Sequence, residues 1–313
     1  MKFYVCSTPY HLYVSLCMIL SEGIESSIYL STPDEDVFEL FKKYKERMSN
    51  IDSIKNVYLR KRDNKKERVY IESIKDIFQY KNIKNEVENS QVYIFPWHPY
   101  SLYTPSEYIF KKAKNIKLVE DGSNVYLKKP ENKLSKLIKK YIYLRNTEFY
   151  KSPKITDIYV QYPSKYPDHL KNKLSLLDLN KIQSDMKKIH KEKIISVFNS
   201  NIDINKMNNI NTIILTQPLS EDGFMSENKK ISLYSDIIEN EKQNIDILIK
   251  KHPRDKTQYK FKDIIELEGD FPSEIFNLLD IEFEKAIGIC TSAVNSIKAK
   301  EAYNTDEKFF EKN

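Results

Sequence analysis

Short β-branched and aromatic runs alternate with longer helix-period stretches along this chain, and that rhythm admits few folds other than parallel strands joined by crossover helices. In the first half it predicts strands at Lys2–Ser7, Ser27–Ser31, Ile54–Leu59, Val92–Phe95, Ile116–Glu120 and Ile155–Gln161, with a helix opening near Pro9 and another over Leu134–Leu144. From Asp168 to about Asn209 the sequence turns polar and rich in Lys and Asn, which suits a connection. The alternation then restarts, with strands at Thr212–Thr216, Asp246–Lys250, Ile264–Glu266 and Ala286–Cys290 and helices at Ser226–Glu241 and Ser273–Leu279. The expected organisation is α/β: a Rossmann-like domain over 1–165, a helical connection over 166–209 and a second Rossmann-like domain over 210–313.

A chain of 313 residues exceeds the size at which one hydrophobic core stops growing, so two cores are expected. Its 40% apolar residues, including 22 Tyr and 15 Phe, suffice to fill them. Three cysteines, Cys6, Cys17 and Cys290, are odd in number and lack metal-ligand spacing, which points to a reducing compartment, no zinc and a cytoplasmic setting. Pro9 and His11 interrupt the apolar opening run, which therefore reads as a strand leading into a helix rather than a leader. A net charge of +6 suggests an anionic partner without choosing among nucleic acid, lipid and a phosphorylated small molecule.

Only five glycines occur, against about 22 at average usage, so each is expected where the backbone tolerates nothing else. Gly122 follows a predicted strand in Glu120-Asp121-Gly122-Ser123-Asn124, which places two carboxylates at the strand end where open α/β sheets bind ligands. A carboxylate there can take a proton from an attacking hydroxyl; the same residues also fit a capped turn. At the next strand end, Lys250-Lys251-His252-Pro253-Arg254 sets an imidazole among three cations, a pattern suited to phosphate and equally to a basic surface turn. Pro253 stops that strand. Cys290-Thr291-Ser292-Ala293 ends a strand with two hydroxyls at a helix start, an anion site or a plain cap. Glu274, in the first turn of a helix, can accept hydrogen bonds from ribose. Gln217, after the strand at Thr212–Thr216, is a further candidate for contact with donor or nucleotide, and the turn Thr8, Pro9, His11 for contact with acceptor or donor sugar.

Glu120-Asp121-Gly122, then Lys250-Lys251-His252-Pro253, then Thr291-Ser292, together with the opening Cys6-Ser7-Thr8-Pro9-Tyr10-His11-Leu12, resemble the motifs of bacterial sialyltransferases of glycosyltransferase family 52. The resemblance implies two Rossmann-like domains facing across a cleft (GT-B type), inverting transfer without a metal or cofactor, and CMP-sialic acid as donor. It further implies Glu120 as general base with Asp121 as fallback. His252 would contact the CMP phosphate, and protonation of the leaving group is a further step open to it. Thr291 and Ser292 would hold that phosphate, Glu274 the ribose, and Lys250 the nucleotide pocket. Glu stands at position 120 where the commoner wording of the motif has Asp. The acceptor would be a terminal sugar, galactose foremost, on a bacterial surface glycan or glycolipid. Peripheral association with the inner membrane face and a homodimer are both compatible with this; nucleic acid is not an expected partner.

Rival readings are a transferase of another nucleotide sugar, a polysialyltransferase, and a non-catalytic basic module that binds nucleic acid or anionic lipid. Asp34-Glu35-Asp36 suits a helix start better than a metal motif. Neither a P-loop nor a Gly-rich dinucleotide fingerprint is present.

Overall fold

The computed structural model describes residues 1–63, 69–95, 106–120, 152–166, 168–198, 202–203, 207, 210–241 and 246–305. The chain divides into two compact units, Met1–Ile194 and Ile195–Asn313. Among the described residues the first unit carries a seven-stranded parallel sheet in the order β3-β2-β1-β4-β5-β6-β7. Its strands are β1 (Lys2–Cys6), β2 (Ser26–Thr32), β3 (Ile54–Lys61), β4 (Gln91–Ile94), β5 (Asn115–Val119), β6 (Ile155–Val160) and β7 (Leu174–Leu176). Every residue of β1 and β2 is buried, as expected of central strands covered on both faces. β7 lies inside the segment expected to be a connection and pairs with β6, Ile158 opposite Leu174. The expected helix over Leu134–Leu144 lies outside the described residues.

Helix α1 (Pro9–Glu22) begins where Thr8 accepts the amide of His11 at 3.2 Å and Pro9 presets the first turn, and it ends at Gly23 with φ +65°. Helix α2 (Glu35–Met48) is capped by Asp34, whose carboxylate accepts the amide of Val37 at 3.0 Å. The acidic triplet is thus a helix start. Between β1 and β4 the strand order reverses, so the carboxyl ends of these two strands open a crevice in the first sheet.

The second unit repeats this logic on a smaller scale, in the order β10-β9-β8-β11-β12, all parallel. Its strands are β8 (Ile210–Leu215), β9 (Asp246–Lys250), β10 (Ile265–Leu267), β11 (Phe283–Ile289) and β12 (Ala299–Thr305). The reversal falls between β8 and β11. A 15-residue helix, Glu227–Glu241, packs Tyr234 and Ile238 into a core with Ile214, Ile249 and Ile289. The helix expected over Ser273–Leu279 is a single turn, Ile275–Leu278. The helix expected after Thr291 is a 3-10 turn, Ser292–Asn295. Four residues cannot build a substantial dipole, so any anion binding there rests on individual amides and hydroxyls. Among the described residues no helix is long and apolar enough to cross a membrane.

Candidate active site

The sequence motifs of the second unit meet at the carboxyl ends of β9, β8 and β11, at and beside its switch point. His252 lies two residues past the end of β9. Its amide donates to the Thr216 hydroxyl at 3.2 Å, tying the β9 exit to the β8 exit. Its Nδ1 accepts the amide of Arg254 at 3.1 Å, so the neutral ring carries its proton on Nε2. Burial, with Arg254 and Lys250 adding to it, pushes the imidazole down to about 4. At neutral pH His252 is an uncharged Nε2–H donor.

The three cations around it are not a loose basic cluster. Lys250 is buried, donates to the Lys251 carbonyl at 3.0 Å and stands 4.1 Å over the Phe271 ring. Burial lowers its ammonium to about 7. Lys251 pairs with Glu266 and Glu268 at 3.4 and 3.2 Å, and Arg254 holds Asp222 through two bonds of 2.6 and 3.0 Å. Each of these cations is engaged by a carboxylate or a carbonyl, which leaves the imidazole as the neutral donor of this edge.

Glu274 is 4% exposed, and burial raises its carboxyl to about 7, with Lys250 pulling the other way. Thr291 accepts the amide of Ala293 at 3.3 Å, while its own amide donates to Asn304 at 3.0 Å. Of Ser292 the main chain is described, and it opens the 3-10 turn. Gln217 continues from Thr216, and its amide donates to the Tyr234 hydroxyl at 2.9 Å. Pro253 is half-buried in the turn where the Asp255 amide donates to the His252 carbonyl at 2.9 Å.

Two glycines make these turns possible. A Cβ on Gly269 would collide with the His252 carbonyl group and the Pro253 nitrogen, and one on Gly288 would collide with the Thr291 and Val294 side chains. Neither was singled out from the sequence, although the scarcity of glycine was the signal that could have found them. Also missed were Lys230 and Asp255, which sit fully buried behind His252 and pair at 2.7 Å. They come from a helix and a loop, and no motif joins them.

In the first unit, Glu120 follows β5, is 2% exposed, and accepts the Gln161 amide at 2.9 Å and its side-chain amide at 3.3 Å. Gln161 Nε2 also lies 3.4 Å from the Tyr10 hydroxyl. Asp121 lies outside the described residues. Thr8 and Pro9 form the start of α1, and His11 is 1% exposed, its Nδ1 accepting the Ser7 amide at 3.1 Å and its ring stacked 4.9 Å from Phe95. Ser7 and Phe95 leave β1 and β4, so His11 ties the two strand exits together beside the reversal of strand order.

Two doubly wound parallel sheets with polar groups gathered at their switch points define a protein of the GT-B type, the fold of nucleotide-sugar transferases. Residues 27–305 match the Glyco_transf_52 family, and the chain belongs to glycosyltransferase family 52. An uncharacterized protein of Haemophilus influenzae is 31% identical over 193 residues, covering 60% of this chain and 61% of the relative, so the match spans less than two thirds of that relative's length. A Photobacterium sp. JT-ISH-224 2,6-sialyltransferase, solved with donor product CMP and acceptor lactose, superposes with a TM-score of 0.60 at 15% identity over 98% of this chain and 72% of that one. The UDP-GlcNAc 2-epimerase of Methanocaldococcus jannaschii gives 0.56 at 12% identity over 99% and 90%. At such identities these likenesses speak for the fold.

Proposed function

We propose that this protein is a sialyltransferase that moves sialic acid from CMP-sialic acid to a terminal sugar, galactose foremost, of a bacterial surface glycan, with inversion and without a metal. The observation that carries the reading is His252. It is held by its amide and by Nδ1 just past β9, the strand beside the switch between β8 and β11, with a neutral Nε2–H as its remaining donor; Thr291 follows β11 on the far side of that switch.

Sialyl transfer develops positive charge on the sugar while negative charge collects on the departing CMP. Fixed donors aimed at that phosphate lower the barrier directly. His252 supplies one such donor and Thr291 with Ser292 the others, apart from the amides of Thr291 and Ala293, which Asn304 and the Thr291 hydroxyl already hold. Protonating His252 would place a hydrogen on Nδ1 against the Arg254 amide, so its hydrogen bond is the main contribution and complete proton transfer is costly. Glu274 and Lys250 offer a buried carboxyl and ammonium to the ribose and base. Gln217, beside Thr216, lines the same sheet edge. In the first unit Glu120 takes the acceptor proton, and its clasp by Gln161 fixes where the carboxylate points. Thr8, Pro9 and His11 shape the crevice that would receive a sugar.

Incubation with CMP-sialic acid and galactose-terminated acceptors should give a sialylated product whose linkage can be mapped, and activity should persist in EDTA. Absence of both transfer and CMP-sialic acid hydrolysis overturns the reading. The superposition on an epimerase that acts on a UDP-sugar favours one alternative, a transferase of a different nucleotide sugar; a donor panel separates the two.

A further inference from the structure

Behind His252 lies a set of buried polar groups that meets the proposed phosphate site through the His252 main chain. The Thr216 hydroxyl accepts the His252 amide at 3.2 Å, so its single hydrogen must go elsewhere, and it goes to Asp255. Asp255 also accepts from Lys230 at 2.7 Å, from the Tyr259 hydroxyl at 2.8 Å and from the Thr257 amide at 3.0 Å. Four donors, one of them the Lys230 ammonium, converge on this one carboxylate. Lys230, with no exposed side-chain surface, balances that charge and reaches on to Glu221 at 2.9 Å.

The same Asp255 donates its own amide to the His252 carbonyl at 2.9 Å. One residue therefore holds both ends of the His252 backbone: the carbonyl directly, and the amide through a hydroxyl whose direction it sets. A buried ion pair is a weak source of net stability. Its value here is geometric, since it holds the Asp255 carboxylate where the Thr216 hydroxyl finds its acceptor.

We infer that Thr216 and Asp255 are positioning residues for His252, fixing its main chain so that Nε2–H is aimed at the departing phosphate. This rests on the proposed sialyl transfer. Displacing a catalytic donor by about 1 Å costs about a hundredfold in rate, whereas a nucleotide bound by several other contacts is affected less.

The test uses Thr216→Val, which keeps the shape and removes the hydroxyl, and Thr216→Ser, which restores it. Turnover, KM for CMP-sialic acid, CMP affinity by calorimetry, Tm and hydrogen exchange at the His252 amide are measured for both variants and for the unaltered protein. Thr216→Val should lower kcat by about a hundredfold, move KM and CMP affinity by only a few-fold, and speed exchange at the His252 amide, with Thr216→Ser recovering all three. Unchanged kcat in Thr216→Val overturns the inference. So does a parallel fall of kcat, CMP affinity and Tm that serine does not rescue, because that is the mark of a merely structural role. If the unaltered protein neither binds CMP nor transfers sialic acid, the reading of the site fails and the inference goes with it. An active unaltered protein with an indifferent Thr216→Val removes the inference alone.

Discussion

His11 and His252 use the same local device in the two units. Each follows the carboxyl end of a parallel strand, and each accepts a backbone amide on Nδ1, from Ser7 and from Arg254 respectively. They differ in what the rest of the ring meets. His11 is 1% exposed and stacks on Phe95, whereas His252 is half-buried and its backbone is braced from behind by Thr216 and Asp255. The bond on Nδ1 fixes the tautomer in both, but only surroundings that leave the ring half-buried turn that tautomer into a presented donor. The sequence cannot tell these two histidines apart by type or by position after a strand.

The sharpest way to break this contrast is to remove each ring. His252→Ala should lower transfer by about a hundredfold or more with the fold retained, read as kcat at matched Tm. Glu120→Ala should cost a comparable factor, and near-normal turnover in either variant sinks the role assigned to it. His11→Ala should appear first in stability, at about 1–3 kcal/mol, because the partly buried Ser7 amide loses its acceptor and the buried ring leaves a void beside Phe95; denaturant midpoints measure it. Gly288→Ala drives a methyl into Thr291 and Val294 and should cost about 1–3 kcal/mol through displacement of the turn, with weaker CMP binding by calorimetry.

The smallest effect lies in pH. His252 is held down to about 4 from an unfolded value of 6.5, so the unfolded chain binds the extra proton between those limits. Its contribution to stability is therefore complete above about 6.5 and is lost as pH falls toward 4. Glu274 runs the other way: raised from 4.5 to about 7, it favours the folded state at the acid end and loses that contribution as pH rises through this range. Because the two shifts are similar in size and opposite in sign, urea midpoints across pH 4 to 7 should rise with pH in Glu274→Gln and fall with pH in His252→Ala, each relative to the unaltered protein. The opposite pair of slopes would contradict the assigned environments.

The central strands were legible because uninterrupted apolar runs such as Phe3-Tyr4-Val5-Cys6 have no other place to go in a parallel sheet. Strand β12, Ala299–Thr305, was missed because Ala-Lys-Glu-Ala-Tyr-Asn-Thr carries the polar composition of an edge. Strand β7 was missed because three residues leave no period to read. Of the site, the His-Pro turn and the Thr291 turn could be placed at strand ends from local pattern. The paired states of Lys251 and Arg254 could not, since Glu266, Glu268 and Asp222 arrive from segments whose approach only the fold decides. The same holds for Lys230 and Asp255, brought together across 25 positions.

Gly269 sets a boundary on how this protein could be redesigned. Replacing glycine with alanine outside left-handed backbone is a common stabilising edit, because it restricts the unfolded chain. Here the missing methyl is the space through which the His252–Pro253 peptide passes. A thermostabilisation screen scored on melting alone would judge this position by its effect on the loop's packing, while the first property altered would be the aim of the histidine, so any such screen needs turnover as a second axis.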